Sequence, residues 1–104
     1  MIEIKRHKGN GYIFSLKAED GGNLLRSVSF TNKDDIKKTV AELQTIKDAQ
    51  NVFERKTNHE GKFLFSLKNS NGELIGRSEL YSSEAGMENG IKNVRNRITS
   101  LSVL

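Results

Sequence analysis

Two lysines and two arginines recur at matching positions in the two halves of the sequence: Lys17, Arg26, Lys68 and Arg77. Ser15 and Ser66 precede the lysines by two residues, a spacing that places serine and lysine on one face of a β-strand. If that face is open to solvent, these residues form a polar surface of positive potential that attracts anions. The pattern favours the simpler interpretation, a solvated sheet face whose charges prevent aggregation.

Three further cations, Lys92, Arg95 and Arg97, add positive charge near the end of the second predicted helix. Proteins that bind nucleic acid usually also expose aromatic side chains on which bases stack. Here aromatic residues such as Phe14 and Phe65 alternate with the serines, which predicts that they point into the core. Nucleic-acid binding is therefore the alternative hypothesis and not the first.

Glu79 follows Ser78 on a predicted strand and has the chemistry to accept a hydrogen bond from a ligand or to act as a general base. We favour a structural role, in which it pairs with Arg77 or with a lysine of a neighbouring strand, or caps the following turn. The two histidines, His7 and His59, lie in no spacing typical of a metal site or a catalytic triad. We therefore predict no catalytic residue, no metal site, no cofactor and no enzymatic activity.

Asn89 and Gly90 lie inside the second predicted helix. A glycine there costs about 1 kcal/mol relative to alanine, so a compensating contact is expected. Either a ligand or a partner backbone approaches closely, or the helix packs tightly on the sheet or on the other helix. Met87 and Ile91 flank the glycine on the apolar stripe, which favours packing.

The elements that position these residues arise from an internal duplication. A shift of 51 positions aligns Met1–Ile46 with Val52–Arg97 without a gap. The identical pairs include Glu3/Glu54, Lys5/Lys56, Gly21/Gly72, Arg26/Arg77, Ser27/Ser78 and the two FSLK segments at 14–17 and 65–68. An ungapped match of this length indicates that one structural unit is repeated.

Each half has the same predicted order of three strands and one helix. The strands are predicted at 2–6, 12–18, 24–30, 53–56, 63–68 and 74–81, with glycine turns at Asn10-Gly11, Asp20-Gly21-Gly22 and Asn71-Gly72. The first strand of each half is short and charged, as edge strands are. Helix caps follow at Asn32 and at Ser82 or Ser83. Apolar residues then recur at helical spacing: Ile36, Val40, Leu43 and Ile46, and Met87, Ile91, Val94 and Ile98.

One unit of about 50 residues buries too little surface to be stable alone, so two units should share one core. We predict a single α+β domain over 1–104, made of repeat one, 1–50, and repeat two, 51–104. In this fold two tandem βββα repeats share one antiparallel sheet, both helices pack on one face, and an approximate twofold axis relates the repeats.

The stretch GKFLFSLKNSNGELIGRSELYSSEAGMENGIKNVRNR, at 61–97, resembles the YegP-like family of small bacterial and archaeal proteins of unknown function. The matching residues are Asn71, Gly72, Glu73, Ile75, Ser78, Glu79 and Tyr81, then Asn89, Gly90, Ile91 and Val94. The resemblance implies tandem βββα repeats, with single-repeat relatives pairing as dimers, and it implies no established activity. The first half departs from the family pattern, with Val28 in place of Glu79, so a site marked by that pattern is expected only in the second half.

Composition limits the remaining function classes. The net charge is +4, cysteine is absent, and no apolar run approaches the roughly 18 residues of a membrane-spanning helix. We expect a cytoplasmic protein, a monomer or homodimer, with no membrane association. The favoured function is a non-catalytic binding or interaction module with an unidentified protein partner. Weak, low-specificity binding of nucleic acid through the basic sheet face is the alternative, and a small-molecule enzyme is the third hypothesis.

Overall fold

The secondary structure consists of six strands and two helices in a computed structural model that describes residues 2–7, 9, 11–18, 21–46 and 52–100. The elements in chain order are β1 (Ile2–Arg6), β2 (Tyr12–Lys17), β3 (Asn23–Ser27), α1 (Lys33–Ile46), β4 (Phe53–Thr57), β5 (Phe63–Lys68), β6 (Leu74–Ser78) and α2 (Glu84–Ser100). The strands form one antiparallel sheet in the order β1-β2-β3-β6-β5-β4. The predicted α+β class, with one six-stranded antiparallel sheet and two helices, is confirmed.

Both helices cover the same face of the sheet. The alternating residues of β2 and β5 place Phe14, Leu16, Phe65 and Leu67 in the core. The predicted helix stripes are buried against them: Ile36, Val40 and Leu43 of α1, and Met87, Ile91, Val94 and Ile98 of α2. Because all these side chains belong to one hydrophobic cluster, a single core holds the sheet and both helices together.

The two outer strand pairs have the same register. In β1 and β2 the pairs run from Ile2↔Leu16 to Arg6↔Tyr12, and in β4 and β5 they run from Phe53↔Leu67 to Thr57↔Phe63. β1 and β4 lie at the two edges of the sheet, as their short, charged sequences predict. β3 and β6 pair with each other at the centre.

The third strand of each half ends earlier than predicted, at Ser27 and at Ser78. The Ser27 hydroxyl accepts the backbone N–H of Phe14 at 2.8 Å and donates to the Val28 carbonyl at 2.8 Å. Ser78 makes the same pair of bonds, with the Phe65 N–H at 2.9 Å and the Glu79 carbonyl at 2.8 Å. The hydroxyl replaces a backbone partner of the β-ladder, so regular pairing stops there.

The helix caps and most of the predicted turns are confirmed. The Asn32 side-chain oxygen accepts the backbone N–H of Asp35 at 2.9 Å, and Ser83, not Ser82, caps α2 through the N–H of Gly86 at 3.0 Å. Gly21 and Gly72 have the positive φ that their turns require. Of the described residues between β1 and β2, Gly9 has a positive φ and Gly11 does not, which corrects the prediction for Gly11. Asn10 and Asp20 lie outside the described residues.

Candidate functional site

The open face of the sheet is the face opposite the two helices. Phe14 and Leu16 point towards the helices, so the intervening Ile13, Ser15 and Lys17 point to the other side. Within the described part of the chain, no helix lies on that side. The serine and lysine positions of the sequence pattern are therefore on the open face, as expected.

Strand pairing aligns six side chains, one from each strand, across the open face. This cross-strand row consists of Glu3, Ser15, Arg26, Arg77, Ser66 and Glu54. Directly opposite residues of an antiparallel pair have their Cβ atoms about 5 Å apart, so each member of the row reaches its neighbours. Acidic residues stand at both ends of the row, serines lie next to them, and two arginines stand at the centre.

Lysines neutralise both acidic ends. The Glu3 carboxylate lies 3.4 Å from the Lys5 Nζ and 3.6 Å from the Lys17 Nζ. At the other edge, the Glu54 carboxylate lies 3.3 Å from the Lys56 Nζ and 3.2 Å from the Lys68 Nζ.

These contacts change the acidity of both glutamates. The hydrogen bond from Lys5 lowers the pKa of Glu3, and the hydrogen bond from Lys68 lowers the pKa of Glu54. Lys17 and Lys68 are therefore on the open face and are ion-paired there, each sharing its glutamate with a second lysine.

The centre of the row is different, because Arg26 and Arg77 stand directly opposite each other on β3 and β6. Both side chains are exposed, and neither makes a hydrogen bond or ion pair with another described residue. Like charges directly opposite each other on a sheet are destabilising. Two cations without an ion pair to a described residue thus stand together at the seam between β3 and β6.

Ser66 is the most buried member of the row. Only 1% of its surface is exposed, and its Oγ has no hydrogen-bond partner among the described residues. Because Phe65 and Leu67 point into the core, Ser66 must point to the open face, between Arg77 and Glu54. A buried hydroxyl without a partner costs about 1–3 kcal/mol, so this atom has an unused hydrogen-bonding capacity.

A groove of about 410 Å³ follows the seam. The lining residues are Arg26, Ser27, Val28, Leu74, Gly76, Arg77, Ser78 and Glu79. Glu79 is exposed, and its carboxylate forms no ion pair with Arg77 or with a lysine in the described part of the chain. Glu79 is therefore an acidic member of the groove wall, close to the two arginines but unpaired with them.

The remaining predicted site residues lie on α2, on the other side of the sheet. Asn89 and Lys92 are exposed on the solvent side of this helix. The Arg95 guanidinium lies 5.0 Å from the centre of the Phe53 ring, and the Arg97 Nε is buried. The structure therefore divides the predicted surface into a sheet group and a helix group and does not bring them together.

Gly90 is explained by packing within the chain. A Cβ at this position would lie 2.2 Å from the Tyr81 Oη and 2.6 Å from the ring carbon that carries it. Burial raises the pKa of the Tyr81 phenol above its ordinary value, and the negative charge of Glu79 adds to that effect. The glycine is required because the tyrosine ring end occupies the space of a side chain.

Sequence reasoning missed the ends of the row and the Ser66 hydroxyl. The identity of Glu3 and Glu54 in the two halves was an available signal for the ends. No sequence signal identifies a hydroxyl without a partner. In the described ranges, no three His, Asp or Glu side chains come together as a metal site would need, and neither helix is long and apolar enough to cross a membrane.

Comparisons with known proteins give consistent matches. A family model described as a domain of unknown function (DUF1508) matches residues 58–103. The UPF0339 protein YegP of Escherichia coli K12 is 34% identical over 102 residues, which are 98% of this chain and 93% of that protein. UPF0339 protein PA0329 of Pseudomonas aeruginosa is 33% identical over 94 residues, 90% of this chain and 86% of that protein.

Two solved structures share the fold. The solution NMR structure of Escherichia coli yegP, described as a protein of unknown function, matches with a TM-score of 0.87 and 33% identity, over 97% of this chain and 87% of that chain. UPF0339 protein SO3888 of Shewanella oneidensis matches with a TM-score of 0.88 and 29% identity, over 97% of this chain and 86% of that chain.

Proposed function

The chain belongs to the UPF0339 family of YegP-like proteins, and we propose that it is a non-catalytic binding module that contacts an acidic protein segment through the open face of its sheet. The supporting observation is the arginine pair at the seam. Arg26 and Arg77 place two positive charges side by side, while the lysines of the same face are already paired with glutamates. An acidic segment that lies along the groove would relieve the repulsion between the two guanidinium groups.

Binding of nucleic acid is the second candidate, and the same arginine pair supports it. Two features favour an acidic protein segment instead. Phe14 and Phe65 are fully buried on the helix side, so they offer no stacking surface on the open face. The unpaired cations of the open face are also confined to the seam, whereas a nucleic-acid backbone usually follows a longer basic track.

We also infer that the chain is a duplication of a βββα unit, with an approximate twofold axis between β3 and β6. The support is the equal registers of the outer strand pairs and the equal serine contacts at the ends of β3 and β6. In this interpretation one domain contains repeats 1–50 and 51–104, and the axis passes between Arg26 and Arg77. The binding surface is then built from equivalent residues of the two repeats.

The oligomeric state and the location of the protein belong to the same proposal. A monomer already contains both arginines, so a single copy is sufficient for binding. The absence of cysteine is compatible with a reducing compartment, and we propose the cytoplasm.

Fluorescence anisotropy tests the proposed function. The probes are a labelled oligoglutamate peptide, a single-stranded RNA of equal charge and a DNA duplex, each titrated at low and at physiological salt. The test variant is Arg26→Gln/Arg77→Gln. The matched control is Lys38→Gln/Lys92→Gln, which removes the same charge from exposed positions on the two helices.

We expect the peptide to bind the native chain and the control, and to lose most of its affinity for the test variant. RNA or DNA that binds more tightly than the peptide, with an affinity that falls steeply with salt, would make nucleic acid the first candidate. Absence of peptide binding even at low salt would contradict the proposal.

A further inference from the structure

We propose that the seam of the cross-strand row is a binding site for a phosphate dianion, which Arg26, Arg77 and the Ser66 hydroxyl hold together. This inference rests on the proposed function, because it uses the same open face. It goes further by naming the chemical group that is recognised and the atoms that recognise it.

The first argument is charge. Arg26 and Arg77 are exposed and directly opposite each other, and the described residues supply neither of them with a counter-ion. At each edge of this face one carboxylate, Glu3 or Glu54, lies between two lysines, so those lysines are ion-paired and one positive charge remains at each edge. At the seam two positive charges lie side by side without an ion pair to a described residue, and one dianion compensates both.

The second argument is the Ser66 hydroxyl. It is 1% exposed, has no hydrogen-bond partner in the described ranges and stands directly opposite Arg77 in the row. No polar contact from the described residues holds the Arg77 side chain in place. Because Ser66 and Arg77 are directly opposite each other on the open face, the Ser66 hydroxyl donates to an anion that Arg77 holds beside it.

The geometry favours phosphate over carboxylate. A guanidinium presents its N–H donors as a planar fork that fits two oxygens of one phosphate group. Two forks and one hydroxyl require more acceptor oxygens than the two of a single carboxylate. A tetrahedral phosphate with three terminal oxygens accepts from both arginines and from the serine, and its charge of nearly −2 at neutral pH matches the site.

The test is an NMR titration of the full chain at about pH 8, where a phosphate monoester is close to a dianion. Separate titrations use inorganic phosphate, phenyl phosphate, dimethyl phosphate and succinate, with ionic strength held constant by sodium chloride. The signals followed are the side-chain Nε–H groups of Arg26 and Arg77 and the backbone amide of Ser66. The variants are Arg26→Gln, Arg77→Gln and Ser66→Ala, with Lys92→Gln and Ser100→Ala, both at exposed positions of α2, as matched controls.

We expect saturable shifts at these three residues with phosphate and phenyl phosphate. Each arginine variant should weaken binding roughly tenfold and Ser66→Ala about threefold, while the controls bind as the native chain does. Because Ser66→Ala removes a buried hydroxyl without a partner, it should fold at least as stably as the native chain, so its weaker binding reports a lost contact. Binding of phenyl phosphate as tight as that of phosphate indicates a phosphate carried on a larger molecule. Preference for inorganic phosphate indicates the free ion.

Several outcomes would overturn the inference. Succinate that binds as tightly as phosphate would show a site for dianions in general, and dimethyl phosphate that does so would show that one charge is sufficient. Equal weakening in Lys92→Gln would show a general effect of net charge. If no phosphate species binds while the oligoglutamate peptide still binds through the arginines, the phosphate site is wrong and the proposed function stands. If phosphate binds but the peptide does not, the acidic protein partner is wrong.

Discussion

The two halves of the chain have the same core and the same half of the cross-strand row, but they differ where the end of the third strand meets the helix. In the first half, Phe30 and Thr39 line the same surface depression. In the second half, Tyr81 stands against Gly90, with its hydroxyl where a Cβ would lie. The change from phenylalanine to tyrosine accompanies the change from threonine to glycine, because the added hydroxyl needs the space that a side chain would occupy.

A second difference lies on the edge strands. In β1, Ile4 is partly buried against the core, whereas its equivalent Arg55 in β4 donates to the Glu88 carboxylate, with the Nη2 to Oε1 distance at 3.0 Å. The first half has Lys37 in place of Glu88 and therefore lacks this ion pair. The two edge strands therefore contact the helix side of the sheet differently: β1 through an apolar contact of Ile4, and β4 through the ion pair between Arg55 and Glu88.

The largest expected change in stability tests whether the two halves pack equivalently in their shared core. Leu16→Ala and Leu67→Ala each remove a side chain that is at most 1% exposed, at equivalent positions of β2 and β5. Each should lower the free energy of unfolding by about 3 kcal/mol, measured by urea denaturation. If the losses in unfolding free energy of the two variants differed by more than about 2 kcal/mol, the two halves would not be packed equivalently in the core.

The next effect tests the difference at the helix. Gly90→Ala places a Cβ against the Tyr81 ring end and should lower the free energy of unfolding by about 2 kcal/mol. Thr39→Ala, at the equivalent position, should change it by less than about 0.5 kcal/mol. A Gly90→Ala variant that is more stable than the native chain would show that the tyrosine moves away without cost.

A double variant sharpens this result. Tyr81→Phe/Gly90→Ala should recover about 1 kcal/mol relative to the sum of the single changes, because removal of the hydroxyl opens space for the methyl group. Thermal and urea denaturation of all four chains give this coupling energy. Additive effects would mean that the tyrosine hydroxyl is not the reason for the glycine.

A smaller effect concerns the ion pair that only the second half has. The hydrogen bond from Arg55 holds the pKa of Glu88 below its ordinary value of 4.5. Because the folded-state pKa is the lower one, the stabilisation is complete above that ordinary value and is lost as the pH falls through the folded-state pKa. Glu88→Gln should lower stability by about 0.5 kcal/mol near neutral pH, since both partners are largely exposed.

The control is the equivalent position in the first half, where Lys37→Gln should leave stability nearly unchanged. Urea denaturation over a range of pH should show the native chain and Glu88→Gln converging below about pH 4. A difference that persists unchanged in acid would exclude the ion pair as its cause.

The smallest effect lies where the two halves meet. Arg26→Gln or Arg77→Gln should raise the free energy of unfolding by about 0.3 kcal/mol at low salt, because either change removes the same repulsion. The double variant Arg26→Gln/Arg77→Gln should be little more stable than either single variant. Added sodium chloride should reduce the difference in stability from the native chain, because salt screens the repulsion. Lys92→Gln, away from the seam, is the control. If either arginine variant unfolded more easily than the native chain, the claim that Arg26 and Arg77 repel each other would be wrong.

The local parts of this fold could be predicted from sequence, because they depend on residues close in the chain. The helix stripe Ile36, Val40 and Leu43 is a periodic pattern, and it is buried as expected. The ends of the third strands could not be predicted, since the hydroxyls of Ser27 and Ser78 reach across to the backbone of another strand.

The candidate site could likewise be predicted only in part, because it depends on which strands pair and in which register. The duplication identified Arg26 and Arg77 as equivalent residues, but their direct opposition depends on the pairing of β3 with β6. The register of β1 against β2 also decides that Lys17 lies beside Glu3, an ion pair that the spacing of the sequence does not specify. Lys92 was grouped with the sheet cations by charge alone, although a helix packed on one face of the sheet lies opposite the open face.

The most direct test of the account is to map the contact surface on the full chain. The labelled oligoglutamate peptide is added to ¹⁵N-enriched protein at physiological salt, and amide and arginine side-chain shifts are followed. We expect the largest changes at the seam of the open face, at Arg26, Ser66 and Arg77, and none at Asn89 or Lys92 on α2. Changes centred on α2, with the seam unaffected, would contradict binding through the open face.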